Sequence, residues 1–292
     1  MNFNIIYDRE NKTYYKEEIY GYKKLNFYYN TLLGRIILKG LTSPFVSKLY
    51  GMYMDSKISV KKINKFIEEN KIDMTEYDSK KYTSFNQFFS REILPEKRKI
   101  ESNNTCLISI ADAKLKYVKI TDDIKLKIKN TIYSLNELLK NEELAKKYIN
   151  GDCLILRLTV SDYHRYCYLD NGTQGKRRKI KGVLHTVNNI SQDKYKVYAQ
   201  NSREYTVLNT ENFGQVVQVE VGALLVGKIK NNNENNKFLK GEEKGFFEFG
   251  GSTIILLFEK NKIKIDEDIK QNSLKGIETK VKMGERIGEK KC

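Results

Sequence analysis

An α+β fold is predicted, with a helical N-terminal segment over residues 1–104 followed by a β-rich domain over 105–292, and three observations carry it. Apolar residues recur at helical spacing between Gly21 and Ile67. From Cys106 onward, short apolar runs alternate with Gly, Asn and Asp turns. The composition, 40% hydrophobic and 31% charged over 292 residues, suffices for a buried core rather than a disordered chain.

In the helical segment, Leu32, Leu33, Ile36, Ile37 and Leu41 share one stripe, which breaks at Pro44 and resumes at Val46, Leu49, Tyr50 and Tyr53. Its charges are one-sided. Lys23, Lys24, Arg35, Lys39, Lys48, Lys57, Lys61, Lys62 and Lys65 face a single acid, Asp55, before Glu68 and Glu69. A basic amphipathic segment rich in aromatics suits an anionic membrane interface; the same pattern also fits a core-facing helix with a basic polar side. Tyr82–Ile100 reads as a helix started by Ser84, with Phe85, Phe88 and Phe89 inward and a stop at Pro95. Beyond it the runs LISI, KLKYVKI, CLILRLTV, KVYAQ, YTVLN, VVQVEVGALLVGKI and TIILLFEK read as strands. They are interrupted by a helix over Tyr133–Tyr148 and a polar loop over Lys230–Lys237.

The net charge of +16 implies an anionic partner or surface: nucleic acid, acidic lipid or acidic protein. No stacking-aromatic RNA motif or helix-turn-helix is present, which disfavours nucleic acid. Four cysteines, Cys106, Cys153, Cys167 and Cys292, lack a metal-ligand spacing, so no metal is expected. Without a signal-like stretch in Met1–Glu18, they point to a reduced, cytoplasmic protein. No run approaches the roughly 20 apolar residues that span a bilayer, so membrane contact would be peripheral, at the cytoplasmic face of the cell membrane.

Acid–base candidates near neutral pH are few, because the chain has two histidines and no tryptophan. His164, in Asp162-Tyr163-His164-Arg165, follows the strand CLILRLTV at a junction where side chains are often presented to a cleft. His185 alternates with apolar neighbours and reads either as a site residue or as a satisfied strand histidine. Asp112, in Ile110-Ala111-Asp112-Ala113, reads alone as a turn aspartate. Ser252 follows Gly250 and Gly251, so its backbone can bend tightly and the preceding carbonyl is open to attack by the serine's own hydroxyl.

The order of these fragments resembles the phosphatidylserine decarboxylase family over nearly the whole chain. The matching pieces are Phe85–Arg98, Asp112, Asp162-Tyr163-His164-Arg165, Thr186-Val187-Asn188, Asn201-x-Arg203, Val221-Gly222-Ala223 through Val226-Gly227, and Lys240-Gly241-Glu242 leading into Phe249-Gly250-Gly251-Ser252-Thr253. The resemblance implies a self-cleaving proenzyme. Ser252 attacks the Gly251 carbonyl and the ester eliminates, giving a β-chain, 1–251, and an α-chain, 252–292, capped by a pyruvoyl cofactor derived from Ser252. That group would form a Schiff base with phosphatidylserine and accept the electrons released with CO2, giving phosphatidylethanolamine. The resemblance also implies a dimer of αβ units and, for His164, support of the decarboxylation step. A second histidine, usual three residues after it, pairs in many members with the aspartate matching Asp112 and with the serine; here that position is Cys167. Three candidates for the cleavage base follow: His164, taken first; Cys167 as thiolate; and His185. Ala113 and Gly250 also depart from the common pattern. Two other functions fit the residues: pyruvoyl-dependent decarboxylation of a free amino acid, and an inactive basic β-module that sits on membrane.

Overall fold

A computed structural model describes residues 3–291, apart from 79, 124, 129–130, 193, 225–227, 233–235 and 250–251. The tripeptide Leu225–Gly227 and the glycines Gly250 and Gly251 therefore lie outside the described residues.

The α+β class is observed. Among the described residues, helices Tyr22–Asn30, Leu32–Leu41, Pro44–Asp55 and Ile63–Asn70 lie in the chain between the first two strands of an 11-stranded mixed sheet and the rest of it. Local chemistry places each break between helices. The Thr31 hydroxyl accepts from the Gly34 amide at 2.9 Å and caps the second helix. A Cβ on Gly34 would lie 2.0 Å from the Phe27 carbonyl oxygen, so the sharp turn between the first two helices requires glycine there. Pro44 begins the third helix rather than interrupting one, because proline at the first helical position forfeits no hydrogen bond.

The structure differs from the sequence reading at several places. The run KVYAQ, read as a strand, holds the short helix Val197–Gln200, and the loop read over Lys230–Lys237 takes in the ends of strands Ile229–Asn231 and Lys237–Phe238. Phe3–Asp8 and Thr13–Glu18, inside the segment read as helical, form a β-hairpin, and Phe3–Asp8 pairs in parallel with Glu278–Val281 near the C-terminus. Tyr133–Tyr148 is strand Thr131–Ser134 followed by two short helices, Leu135–Leu139 and Glu142–Lys146; Lys140, at positive φ, ends the first and Asn141 caps the second. The helix started by Ser84 ends at Phe89, well before Pro95. The C-terminal tail, which carries little pattern, contributes helix Glu267–Leu274 and strand Glu278–Val281.

Strand Ser252–Phe258 lies in the middle of the large sheet, between Gly214–Val221 and Asp152–Leu158, and every residue in it is buried. Burial of a large apolar side chain is worth roughly 1.5–3 kcal/mol, so Ile254, Ile255, Leu256, Leu257 and Phe258 contribute on the order of 10 kcal/mol as an upper figure. The helices dock through a separate cluster of rings, Phe66, Phe85, Phe88 and Phe89, against which Val160 and Phe249 pack. The stripe Leu32, Leu33, Ile36 and Ile37 faces outward: Leu32 is 75% exposed and Ile36 62%, with Phe45, Leu49 and Met52 also exposed.

Candidate active site

Ser252 is the first residue of its strand, pairs across with Leu158, is fully buried, and its hydroxyl has no hydrogen-bond partner among the described residues. A buried polar atom without a partner is costly, and such atoms concentrate where chemistry needs them.

Strand Asp152–Leu158 runs directly into the turn that carries the histidine. The Asp162 carboxylate accepts from the Thr159 amide at 2.7 Å and from its hydroxyl at 2.8 Å, closing the turn. The Asp162 carbonyl lies 2.8 Å from His164 Nδ1. A carbonyl only accepts, so Nδ1 carries the proton and Nε2 holds the lone pair. That Nε2 is buried and has no partner among the described residues. Burial pulls the His164 pKa down to about 4; Asp162 opposes the shift, while the Arg91 and Lys114 charges add to it. His164 is therefore a neutral imidazole at pH 7.

Phe89 links this histidine to the serine segment, with its ring 4.2 Å from the His164 ring and 5.2 Å from that of Phe249, three residues before Ser252. The Phe247 amide also donates to the His164 carbonyl at 3.0 Å. Beside Leu158 and Phe249 a cavity of about 380 Å³ opens toward the first helix. Its charged and polar lining includes Glu17, Lys24, Arg157, Thr159, Ser161 and Asn188, and its apolar lining includes Ile19, Leu25 and Leu41.

The other candidates sit differently. Asp112 accepts from Arg98 Nε at 2.8 and 3.1 Å and from the Met283 amide at 2.8 Å, so this carboxylate joins the ring-bearing segment to the C-terminal part of the chain. Its charge reaches Cys167. Burial, aided by Glu243 and Asp112, pushes the Cys167 thiol up to about 12, so it stays protonated at neutral pH. His185 is engaged already. Its Nδ1 is 3.1 Å from the Tyr29 hydroxyl and its ring stacks on Tyr195 at 4.1 Å, so it ties the first helix to the β-rich domain. No hydrogen bond joins the Ser252 hydroxyl to any of these groups among the described residues.

Sequence reasoning missed the ion pairs around the turn, which join buried Lys114 and Arg157 to half-buried Glu17 and Glu278. A signal existed for one of these residues, since Arg157 interrupts the apolar run of its strand; Lys114 shares its strand with Lys116 and Lys119 and does not stand out. Among the described residues no group of three or more His, Cys, Asp or Glu could hold a metal, and no helix is long and apolar enough to cross a membrane.

Comparison with known proteins places these features in context. The family model described as phosphatidylserine decarboxylase matches residues 85–289. The chain is 54% identical to phosphatidylserine decarboxylase proenzyme 2 of Clostridium acetobutylicum, over 97% of this chain and 98% of that protein. It is 46% identical to a phosphatidylserine decarboxylase proenzyme of Clostridium botulinum, over 98% and 99%. With the corresponding proenzyme of Clostridium novyi the identity is 44%, over 98% and 99%.

Proposed function

The chain belongs to the phosphatidylserine decarboxylase family, and on that premise we propose that it decarboxylates phosphatidylserine to phosphatidylethanolamine with a pyruvoyl group made from its own Ser252. The observation that carries the reading is Ser252 itself: a buried hydroxyl without a partner among the described residues, at the head of a central strand and paired with Leu158, which lines the cavity.

In self-cleavage the Ser252 oxygen adds to the Gly251 carbonyl while its proton passes to a base, and the Ser252 nitrogen leaves with a proton, which gives an ester. Loss of the Ser252 Cα proton then expels the Gly251 carboxylate; water hydrolyses the resulting dehydroalanine, ammonia leaves, and the pyruvoyl group remains. His164 is the base this site favours, because it is neutral with a free Nε2 lone pair, whereas Cys167 holds its proton and His185 is bound to Tyr29. Asp112, fixed by Arg98, acts as an orienting charge.

The pyruvoyl group supplies a carbonyl that takes up the substrate amine and an electron sink for the carbanion left by departing CO2. The chain's own residues do the rest. His164 Nε2 takes a proton from the incoming ammonium and returns one to carbon. Phe89 and Phe249 keep water from the histidine, and the Thr159 and Ser161 side of the cavity receives the polar headgroup. The exposed apolar and basic helices set this cavity at the surface of an anionic bilayer, so the enzyme works as a peripheral protein on the cytoplasmic face of the membrane. The same outward stripe favours a lipid over a free amino acid as substrate. After cleavage the α-chain, 252–292, stays in the sheet, and two such αβ units form the dimer that the family resemblance suggests.

The intact mass of the purified protein under denaturing conditions, beside Ser252→Ala, tests the cut. Two fragments divided between residues 251 and 252, the smaller one blocked to Edman chemistry, support it; one full-length species in an active preparation overturns it. Turnover of phosphatidylserine in mixed micelles, and not of free serine, supports the substrate. The reverse result, or no turnover by a cut protein, rejects it.

A further inference from the structure

We propose that Glu17, on the N-terminal hairpin, and Lys114 are positioning residues for His164, acting through Asp162. The inference rests on the reading of His164 as the group that moves protons in the site.

Lys114 and Arg157 stand directly opposite each other on neighbouring strands, both almost wholly buried. Like charges in that register repel, and burying each ion costs several kcal/mol unless it is paired. One carboxylate bridges them: Glu17 Oε1 is 3.4 Å from Lys114 Nζ and Glu17 Oε2 is 2.6 Å from Arg157 Nη2. Arg157 is completed by Glu278 at 2.6 Å. Lys114 Nζ donates to both Asp162 oxygens, at 2.7 and 2.8 Å, and to the Thr159 hydroxyl at 3.2 Å.

Asp162 therefore has two tasks. Its carboxylate, held by Lys114, closes the 159–162 turn, and its carbonyl fixes the His164 ring with Nδ1 protonated and Nε2 free. On the other side, Arg157 stands opposite Thr253, the residue after Ser252. Glu17 thus sits where the serine strand and the histidine turn meet, although its hairpin lies outside the stretch the family model matches, 85–289. Without Glu17 the two opposed cations separate, Lys114 loses its fixed place, and the Asp162 carbonyl no longer holds one imidazole tautomer.

Histidine-selective 15N NMR of the full chain tests this directly. The protein has only His164 and His185, so a His164→Gln sample assigns both signals. The wild type should show His164 as the Nδ1–H tautomer. Glu17→Gln and Lys114→Met should each show a tautomer mixture at His164 with His185 unmoved, and kcat lowered about tenfold at little changed KM. Should either single variant fail to fold, the paired Glu17→Gln/Lys114→Met variant removes one charge of each sign and should give the same mixture. An unchanged His164 spectrum in whichever of these variants folds overturns the inference and leaves the proposed function standing. A tautomer that responds in a wild type unable to decarboxylate phosphatidylserine does the opposite.

Discussion

Acidification should destabilise this protein in part through His164, by an amount that follows from burial; burial lowers the His185 pKa as well. His164 titrates near 6.5 when unfolded and at about 4 in the fold, where burial dominates, Arg91 and Lys114 add to the shift and Asp162 resists it. Because the folded pKa is the lower one, the unfolded chain binds the proton first. The contribution is thus complete above about pH 6.5 and is lost as pH falls through the window down to about 4. At 1.36 kcal/mol per pH unit of differential binding, the loss is about 2 kcal/mol by pH 5 and about 3 kcal/mol below pH 4. The clean measurement uses urea unfolding of Ser252→Ala, an uncut background, at pH 7.5 and pH 5, with and without His164→Gln. His185 and the carboxylates titrate alike in both chains, so the difference between their pH dependences isolates His164. The parent should lose about 2 kcal/mol more stability than the His164→Gln chain over that interval. Equal losses would refute the claim that His164 is a buried neutral base.

Other outcomes are equally specific. Cys167→Ala should still cut itself, because a thiol pushed up to about 12 has about one part in 10⁵ ionised at pH 7; a folded but uncut Cys167→Ala, seen on a denaturing gel, would restore the thiolate as base. Phe89→Ala empties the centre of the ring cluster and should cost about 3–5 kcal/mol in chemical denaturation, with slower self-cleavage; a loss below about 1 kcal/mol would show that the rings do not pack on His164 as described. Paired Ile36→Glu and Phe45→Glu should leave thermal unfolding within about 0.5 kcal/mol of the parent yet lower sedimentation with anionic vesicles at least about tenfold. Equal vesicle binding would move the docking face elsewhere.

Much of this was legible in the residues, for physical reasons. The strand that begins at Ser252 reads as TIILLFEK because a central strand is apolar on both faces. The break at Pro44 is legible because proline starts a helix through its fixed φ; the break at Thr31, set by a local side-chain cap, was not read. The hairpin Phe3–Glu18 was not, since its pairing partner Glu278–Val281 lies at the other end of the sequence and no local pattern announces a parallel neighbour. The outward direction of Leu32 and Ile36 could not be read either, because an amphipathic stripe looks the same whether it faces a core or a bilayer. Of the site, Ser252, His164 and Asp112 came from motifs. The state of Cys167 depended on burial, and the role of Glu17 on a contact across the whole chain.

Strand Ser252–Phe258 has a ladder neighbour on each side, and Ser252 is shut away from solvent. A newly made chain reaches that arrangement only when residues 152–158 and 214–221 have already closed around it. If the proposed cut at Ser252 needs this geometry, making the proposed pyruvoyl group would itself be a fold inspection: a misassembled copy would keep its peptide bond and never gain a reactive carbonyl. The cell would then be spared an electrophile on a loose polypeptide, and the fraction of cut chains in any preparation would report directly how much of it had matured.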